Sequence, residues 1–398
     1  MKKLILAVAA MFAAVSAFAV VPHRPNLPKV DGYVLLLGDC HVHTVFSDDT
    51  SWPTTRIDEA DYDGLDFICI TDHLDTRHQK MVNNGTFNGE KVDRNTSYEI
   101  AKAAAKKYGI MVVHGAELTR GICFFPGHFN TLFIKDANKI AQVAEAAADA
   151  VKAEGKGEIE QEEAAIWAGL KEARAQGAYL QWNHPDWEKQ AHNETVWWPI
   201  HEQLYQAGLM DGIEIINRFS GFDPEAFGWA VEKNLGISAG TDCHKPMFQL
   251  VDYMKGDFRP YTVVFAKDRS LKAIREAMDA RRVCTICDGC MYGPADLLES
   301  FVRASLQISD VKITDKKVSL KVKNLSSVPM TVTKAAGSEN VIYPRLTYLN
   351  ADEELNFSIT GLDSREPFGV KEFDVNIRIE NFLTNVNTPL TLTYHVTL

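Results

Sequence analysis

Residues 38–49 read GDCHVHTVFSDD. Two histidines flank one valine, Asp39 precedes them, and Asp48 and Asp49 close the stretch. Side chains alternate along an extended segment, so His41 and His43 fall on one face there. A helix would need a spacing of three or four to bring two ligands together. Neutral imidazole and carboxylate suit Zn²⁺, Mn²⁺ or Fe²⁺, but one short segment cannot complete a coordination sphere. Whether the rest of the chain delivers further ligands, and from which elements, therefore decides both the fold and the chemistry.

Working outward, short apolar and β-rich runs recur at 33–37, 67–70, 110–113, 131–134, 178–182, 212–216, 236–239 and 262–266. Between them lie helix formers, at 97–108, 139–153 and 160–176. Asp223 before Pro224, and Ser270 before Leu271, have the form of helix N-caps. Nearly continuous apolar strands alternating with helices predict a parallel α/β sheet or barrel.

Polar residues gather just past those runs. The first run is followed by His41, His43 and Asp48, and the second by TDH with Asp72 and His73. HGAEL supplies Glu117, NHPDW supplies His184, and GTDCHKP supplies Asp242 and His244. The C-terminal ends of barrel strands are where active sites are built. The chain holds 12 histidines in 398 residues, so this clustering is not what random placement gives. His128 is different, because it precedes its run, HFNTLFI. To reach the same mouth, that strand has to run antiparallel to 110–113.

The composition is that of a globular protein, 46% apolar and 24% charged. A formal charge of −11 argues against long nucleic acid as a partner, since phosphate neutralisation needs basic surface. Lys2 and Lys3, the apolar stretch 4–15 and Ser16-Ala17-Phe18-Ala19 form an export signal, with cleavage expected after Ala19. The apolar stretch is shorter than the roughly 20 residues a membrane span needs. The expected location is periplasmic or secreted, with no membrane span after cleavage. Seven cysteines leave at least one unpaired. Cys284, Cys287 and Cys290 make two overlapping C-x-x-C spacings without a matching fourth ligand, which favours buried or disulfide-bonded cysteines over a zinc knuckle. After residue 305 the pattern changes to period-two alternation with turn signals, as in 305–334, LNFSIT, FDVNIRI and TLTYHVTL. That predicts an antiparallel β-sandwich.

HVHTVFSD, TDH, GAEL, GHFN, NHP and GTDCH resemble, in order, the motifs of the PHP (polymerase and histidinol phosphatase) family of metal-dependent phosphoesterases. The resemblance covers about residues 34–290. It implies a distorted (β/α)7 TIM-like barrel over 20–300, after the signal peptide 1–19 and before the sandwich at 305–398. It also implies up to three divalent ions. His41, His43, Glu117 and Asp242 would hold the first, and Asp48, His73 and His244 the second. Glu117, His128 and His184 would hold the third. Asp49 stands where the family usually has glycine, which should alter the loop and not the ligation.

Clustered divalent ions suit phosphoryl transfer, so the expected reaction is hydrolysis of a small phosphoester by metal-activated hydroxide. A diester is favoured over a monoester. Asp72 is expected to orient a ligand histidine. Arg218 and Lys245 are expected to contact the phosphate. Arg77, His78 and Arg94 follow TDH in a polar loop, and Trp187, Trp197 and Trp198 belong to an aromatic insertion whose expected role is packing. His192 and His201 are not expected to be ligands. The competing classes are a metal-dependent amide or lactone hydrolase, which would place a carboxylated lysine on a mid-barrel strand, and a non-catalytic binding protein.

Overall fold

The computed structural model describes residues 24–75, 86–87, 90–91, 93–122, 125–187, 195–255, 257 and 259–398. The expected signal sequence, Arg77, His78, Cys123 and His192 lie outside the described residues. Eight strands form the first part of a large sheet: β1 (Val34–Val42), β2 (Phe67–Ile70), β3 (Met111–Ile122), β4 (Phe125–Leu132), β5 (Tyr179–Asn183), β6 (Gly212–Asn217), β7 (Gly236–Gly240) and β8 (Tyr261–Ala266). Their order is β7-β6-β5-β4-β3-β2-β1-β8. The sheet curls so that β7 comes back to β1: Cys243 bridges Val42 in parallel, and the Asp242 N–H donates to the His41 carbonyl at 2.8 Å.

Helices clothe the sheet where the sequence places them. They are α1 (Pro53–Tyr62), α2 (Thr96–Ala105), α3 (Ala137–Ala153), α4 (Glu158–Ala175), α5 (Pro199–Gln206), α6 (Pro224–Lys233), α7 (Leu271–Asp279) and α8 (Ala295–Ser305). Asp223 caps α6 by accepting from the Ala226 N–H at 3.0 Å, and Pro224 fills the first turn, where no amide proton is missed. Ser270 caps α7 through the Ala273 N–H at 3.1 Å. The stripe Ile140, Ala141, Ala144 and Ala148 of α3 and the stripe Ile166, Leu170 and Ala173 of α4 are buried in one apolar cluster with β3 to β7. Among the described residues no helix is long and apolar enough to cross a bilayer.

Two strands depart from a purely parallel sheet. β4 runs antiparallel to both β3 and β5, with Thr119 opposite His128 and His128 opposite Asn183. That is the direction which brings His128 to the common mouth. The return to β5 then takes two helices, α3 and α4, in place of one. β8 was expected to be parallel, yet it pairs antiparallel with β1, Leu36 opposite Val264. A parallel strand requires a crossover connection to the far end of the sheet. The described residues of 241–260 instead stay at the ligand-bearing end, and their only helices are single turns at Met247–Gln249 and Tyr253–Lys255.

The expected β-sandwich region is linked to this sheet by strand pairing. β9 (Val283–Cys287) and β10 (Cys290–Tyr292) form a hairpin, and β10 pairs parallel with β16 (Glu372–Asn385), Met291 opposite Phe382. β16 continues to β13 (Met330–Lys334), β14 (Leu346–Leu349) and β17 (Thr388–Thr397). A second antiparallel layer holds β11 (Leu306–Ile313), β12 (Lys317–Asn324) and β15 (Glu354–Gly361). The period-two pattern does its expected work: Phe373, Val375, Ile377 and Ile379 of β16 are buried while Glu372, Asp374 and Arg378 are exposed.

Candidate metal centre

Three of the expected ligands lie inside strands: His41 and Glu117, expected after their runs, and His128, expected before its run. β1 extends through His41, beyond the apolar run, with a register shift against β2 between Asp39 and Val42. β3 pairs with β2 over Met111–His114, then changes partner and pairs with β4 over Gly115–Ile122, so Glu117 and Thr119 sit on its far half. His128 lies in β4. His73, His184, Asp242 and His244 follow their strands as expected. His184 and Asp242 adopt positive φ, 29° and 49°, which is strained for residues with a Cβ.

All nine expected ligands converge. Glu117 is fully buried at the centre. Its Oε1 lies 3.2 Å from His128 Nδ1, 3.4 Å from His184 Nε2 and 3.4 Å from His41 Nε2. Its Oε2 lies 2.7 Å from His73 Nδ1 and 3.5 Å from His43 Nε2. Asp242 Oδ1 lies 3.0 Å from His43 Nε2 and 3.3 Å from His41 Nε2. Asp48 Oδ1 is 3.1 Å from His244 Nε2 and 3.5 Å from His73 Nε2. Four overlapping groups have donor atoms within 4.8 Å of one another: His43/Asp48/His73/His244, His41/His184/Asp242, His41/His43/Glu117 and His73/Glu117/His128. The side chains of Asp48 and His244 are each 28% exposed, against 0% for His41, His43 and Glu117, so the cluster opens to solvent on the Asp48–His244 side.

The charge distribution fits divalent cations. Burial opposes ionisation of Glu117, but His73, His128 and His41 outweigh it and hold the carboxyl well below its usual range. Burial is likewise overcome at Asp242, chiefly by His41 and His244. Burial pulls the His41 pKa down, yet Asp242, Glu214 and Glu117 raise it overall. His244 rises to about 9 as Asp242 and Asp48 overcome burial. His43 falls to about 3, because burial and the neighbouring His244 and His73 prevail over Asp242. The carboxylates thus stay ionised and call for positive charge in a site that water barely reaches. His41 Nε2 and His43 Nε2 lie only 3.1 Å apart, an arrangement two ligands of one cation share. Hard carboxylate and borderline imidazole donors are the set that Zn, Mn and Fe take.

An outer shell fixes the imidazoles. Glu214, in the middle of β6, faces His41 Nδ1 at 3.2 Å and accepts from the His184 N–H at 2.9 Å. A Cβ at Gly240 would collide with this carboxylate and with His41, so only glycine fits there. Asp72 does not touch a histidine directly. It accepts from Thr44 N–H and Ser47 Oγ, each at 2.7 Å, and Ser47 Oγ lies 3.2 Å from His43 Nδ1. Thr119 Oγ1 meets His73 Nδ1. Asp39 accepts from the N–H groups of His41 and Thr241, each at 3.1 Å, and from Arg259 at 2.6 Å.

Arg56 of α1 is the residue least readable beforehand. It is buried, pairs with Asp49 and Glu59, and donates to the carbonyls of His43 at 2.9 Å, Cys243 at 3.3 Å and Lys245 at 3.0 Å. It ties the first ligand loop to the last, and it gives Asp49 a purpose in that loop.

Other expected positions lie around this cluster. Arg218 donates to the Leu250 carbonyl at 2.6 Å and lies 4.0 Å from Asp257, with its side chain about one-third exposed. Lys245 is exposed, one residue from His244. Arg94 is engaged by the Leu74 carbonyl and Glu145. Trp197 packs with Trp182 and Trp229, and His201 lies against Trp182 at 3.8 Å, a packing role. Trp187 presents its edge to His128 and His184 at 5.2 and 5.3 Å. Among the described residues Cys40, Cys69, Cys243, Cys284, Cys287 and Cys290 are all free.

No family model matches the chain, and no curated protein does. Solved structures do. A two-domain protein of Bacteroides vulgatus ATCC 8482, containing a predicted PHP-like metal-dependent phosphoesterase, is 34% identical, with 94% of this chain and 98% of that chain covered and a TM-score of 0.80. A protein of Bifidobacterium adolescentis ATCC 15703, proposed to be a metal-dependent phosphoesterase, is 18% identical over 52% of this chain and 88% of that one, with a TM-score of 0.37. An amidohydrolase of Chromobacterium violaceum, solved with bound sulfate and no metal, is 18% identical over the same shares, with a TM-score of 0.36. The last two scores are too low to bear on the fold. The first match spans nearly the whole of both chains, and the six motifs and the convergent His/Asp/Glu cluster agree with it: this chain belongs to the family of two-domain, PHP-like metal-dependent phosphoesterases.

Proposed function

We propose that this protein hydrolyses a small phosphodiester at a trinuclear divalent metal centre. The observation that carries the proposal is the sharing of carboxylates: Glu117 faces five imidazoles and Asp242 faces at least three. Shared carboxylates are what holds divalent ions close together. His41, His43, Glu117 and Asp242 would hold one ion, Asp48, His73 and His244 a second, and Glu117, His128 and His184 a third. Bound there, the ions would supply Lewis-acid charge to a phosphoryl oxygen and acidify a water.

The chain's own residues do the rest. Glu214 and Ser47 fix which nitrogen of His41 and His43 faces inward, and Thr119 positions the His73 ring. Asp72 holds Ser47 and Thr44, and through them the His43 loop. Lys245 offers an exposed cation beside the open side, and Arg218 a second one, already anchored by Leu250. Among the described residues, two rim cations beside so many carboxylates favour a singly charged diester over a doubly charged monoester. A lysine-bridged amide or lactone hydrolase is disfavoured because none of β1 to β8 contains a lysine. We extend the proposal to the domain plan, a distorted (β/α)7 barrel over 20–300 and a β-sandwich over 305–398, and to export with cleavage after Ala19.

The test loads purified protein with Mn²⁺ or Zn²⁺, measures metal content, and compares bis-p-nitrophenyl phosphate with p-nitrophenyl phosphate. Faster turnover of the diester, lost together with bound metal in Glu117→Ala, is expected. Faster monoester turnover would reassign the substrate class. No turnover of either, with Glu117→Ala unchanged in metal content, would sink the proposal. N-terminal sequencing of exported protein tests the cleavage site.

A further inference from the structure

The C-x-x-C pair at Cys287 and Cys290 has no part in the metal centre, and the fold gives it a geometry of its own. β9 and β10 are joined by Asp288 and Gly289 alone, and Cys287 is directly opposite Cys290. Both turn residues have positive φ, 49° and 73°, the signature of the tight turn that closes two-residue hairpins. The two cysteines therefore form the closing pair of the hairpin, with side chains on the same face. Directly opposed residues in such a hydrogen-bonded pair have Cα atoms about 5.5 Å apart. A disulfide usually spans about 4.4–6.8 Å between Cα atoms.

Cys284, the third cysteine of the stretch, is excluded. Three residues before Cys287, it points to the opposite face of β9, is fully buried, and packs against Gly293. Cys287 and Cys290 are only partly buried, so a reagent reaches them. Burial and the Asp288 carboxylate push the Cys287 thiol up to about 12, which separates it from the acidic thiols of disulfide-exchange enzymes.

We propose that Cys287 and Cys290 are a modification site, a reversible disulfide across the hairpin that joins the large sheet to its C-terminal strands. The oxidant is a small or protein disulfide acting by exchange. The thiolate of one cysteine attacks the donor disulfide and expels one donor thiol. The other cysteine then attacks the mixed disulfide and expels the second. Two electrons pass to the donor, two protons leave the cysteines, and one S–S bond replaces another. Opposed Cβ atoms in a hydrogen-bonded pair sit at the far side of about 4.5–5.5 Å, whereas a disulfide prefers about 3.5–4.5 Å. Closing that gap strains the bond and makes it easy to reduce. The bond lies within the hairpin whose second strand, β10, pairs with β16, Met291 opposite Phe382, so oxidation stiffens the hairpin beside that seam without crossing it.

Glutathione disulfide is the probe. The folded protein is equilibrated at graded ratios of reduced to oxidised glutathione, quenched in acid, unfolded, alkylated and digested with trypsin. The peptide 283–303 holds all three cysteines. It is expected to lose two alkylation sites, to keep one on Cys284, and to weigh about 2 Da less than its fully reduced, unalkylated form plus a single alkyl group. The loss should reverse as the ratio rises, and Cys290→Ser should abolish it while Cys284→Ser keeps it. Three alkylated cysteines at every ratio, or a bond that includes Cys284, would overturn the proposal. Retention of a glutathione adduct on wild-type Cys287 at equilibrium would also overturn it, since the second cysteine would then be unable to close the bond.

Discussion

At one end of the large sheet the protein buries Asp39, His41, His43, Glu117 and Arg259; between its C-terminal layers it buries Val318, Val375, Ile359 and Ile379 just as fully. The second region is stabilised by removing apolar surface from water, about 25 cal/mol per Å². The first gains little of that. Each buried charge there loses hydration, and only its hydrogen bonds and counter-charges offset the loss. It also holds His184 and Asp242 at positive φ. A protein that spends stability in one place and gains it in another separates the two tasks: the apolar layers hold the fold, and the polar strand ends hold a reactive geometry.

Four substitutions would break or sharpen that contrast. Arg56→Met removes the cation that faces Asp49 and Glu59 and leaves the carbonyls of His43, Cys243 and Lys245 without their donor. We expect a loss of about 3–5 kcal/mol in urea unfolding, because a buried charge is left unpaired, together with weaker metal uptake. Unchanged metal uptake would show that the two ligand loops hold themselves. Ile359→Ala, in the apolar layers, should cost about 2–5 kcal/mol, yet leave turnover at 20 °C as in wild type. A matching fall in turnover would mean that the two regions are not separable.

Glu214→Gln keeps the shape but removes the charge facing His41 Nδ1. We expect metal affinity or turnover to fall about 10–100-fold, with the unfolding midpoint changed far less than in Arg56→Met. An equal effect on stability would make Glu214 a structural residue only. The smallest effect concerns Asp223. Burial, aided by Asp186 and Glu225, raises its pKa to about 7 in the folded protein despite the cap to Ala226. A group whose folded pKa is raised contributes stability that is complete below its unfolded value and is lost as pH rises through the folded one. The contribution should therefore decline between about pH 4 and pH 7. Asp223→Asn keeps the cap, so it should flatten that decline and leave the variant more stable at pH 8, by something on the order of 1 kcal/mol. An identical pH profile in both proteins would refute the shift.

Much of the candidate site was legible because metal ligands are chemically distinctive and follow local rules. His-x-His on a strand, T-D-H, and the caps at Asp223 and Ser270 depend on a few neighbouring residues. Glu214 does leave a signal in GIEIIN, since a carboxylate in the middle of an otherwise apolar strand has to face a partner, but nothing local says that the partner is His41. Arg56 gave no such sign. Its helix has an ordinary mixture of charges, and its carbonyl partners at Cys243 and Lys245 are almost 190 residues away. The direction of β8 was missed because an apolar run looks the same whichever way it runs. The joining of β10 to β16 was missed because strand pairing leaves no mark on either strand alone.

By itself, the sequence determined the family motifs, the nine convergent His, Asp and Glu positions, the helix caps, and the change from helical to period-two patterning after residue 305. Each rests on side-chain chemistry or on a periodicity read within one segment. Only the tertiary structure decided that β8 turns back along β1, that Glu117 lies inside a strand that changes partners, that Glu214 stands behind His41, and that one sheet runs on into the C-terminal layers. Those features depend on which distant backbone and side-chain groups satisfy one another's hydrogen bonds and charges, a choice made only when the whole chain is packed.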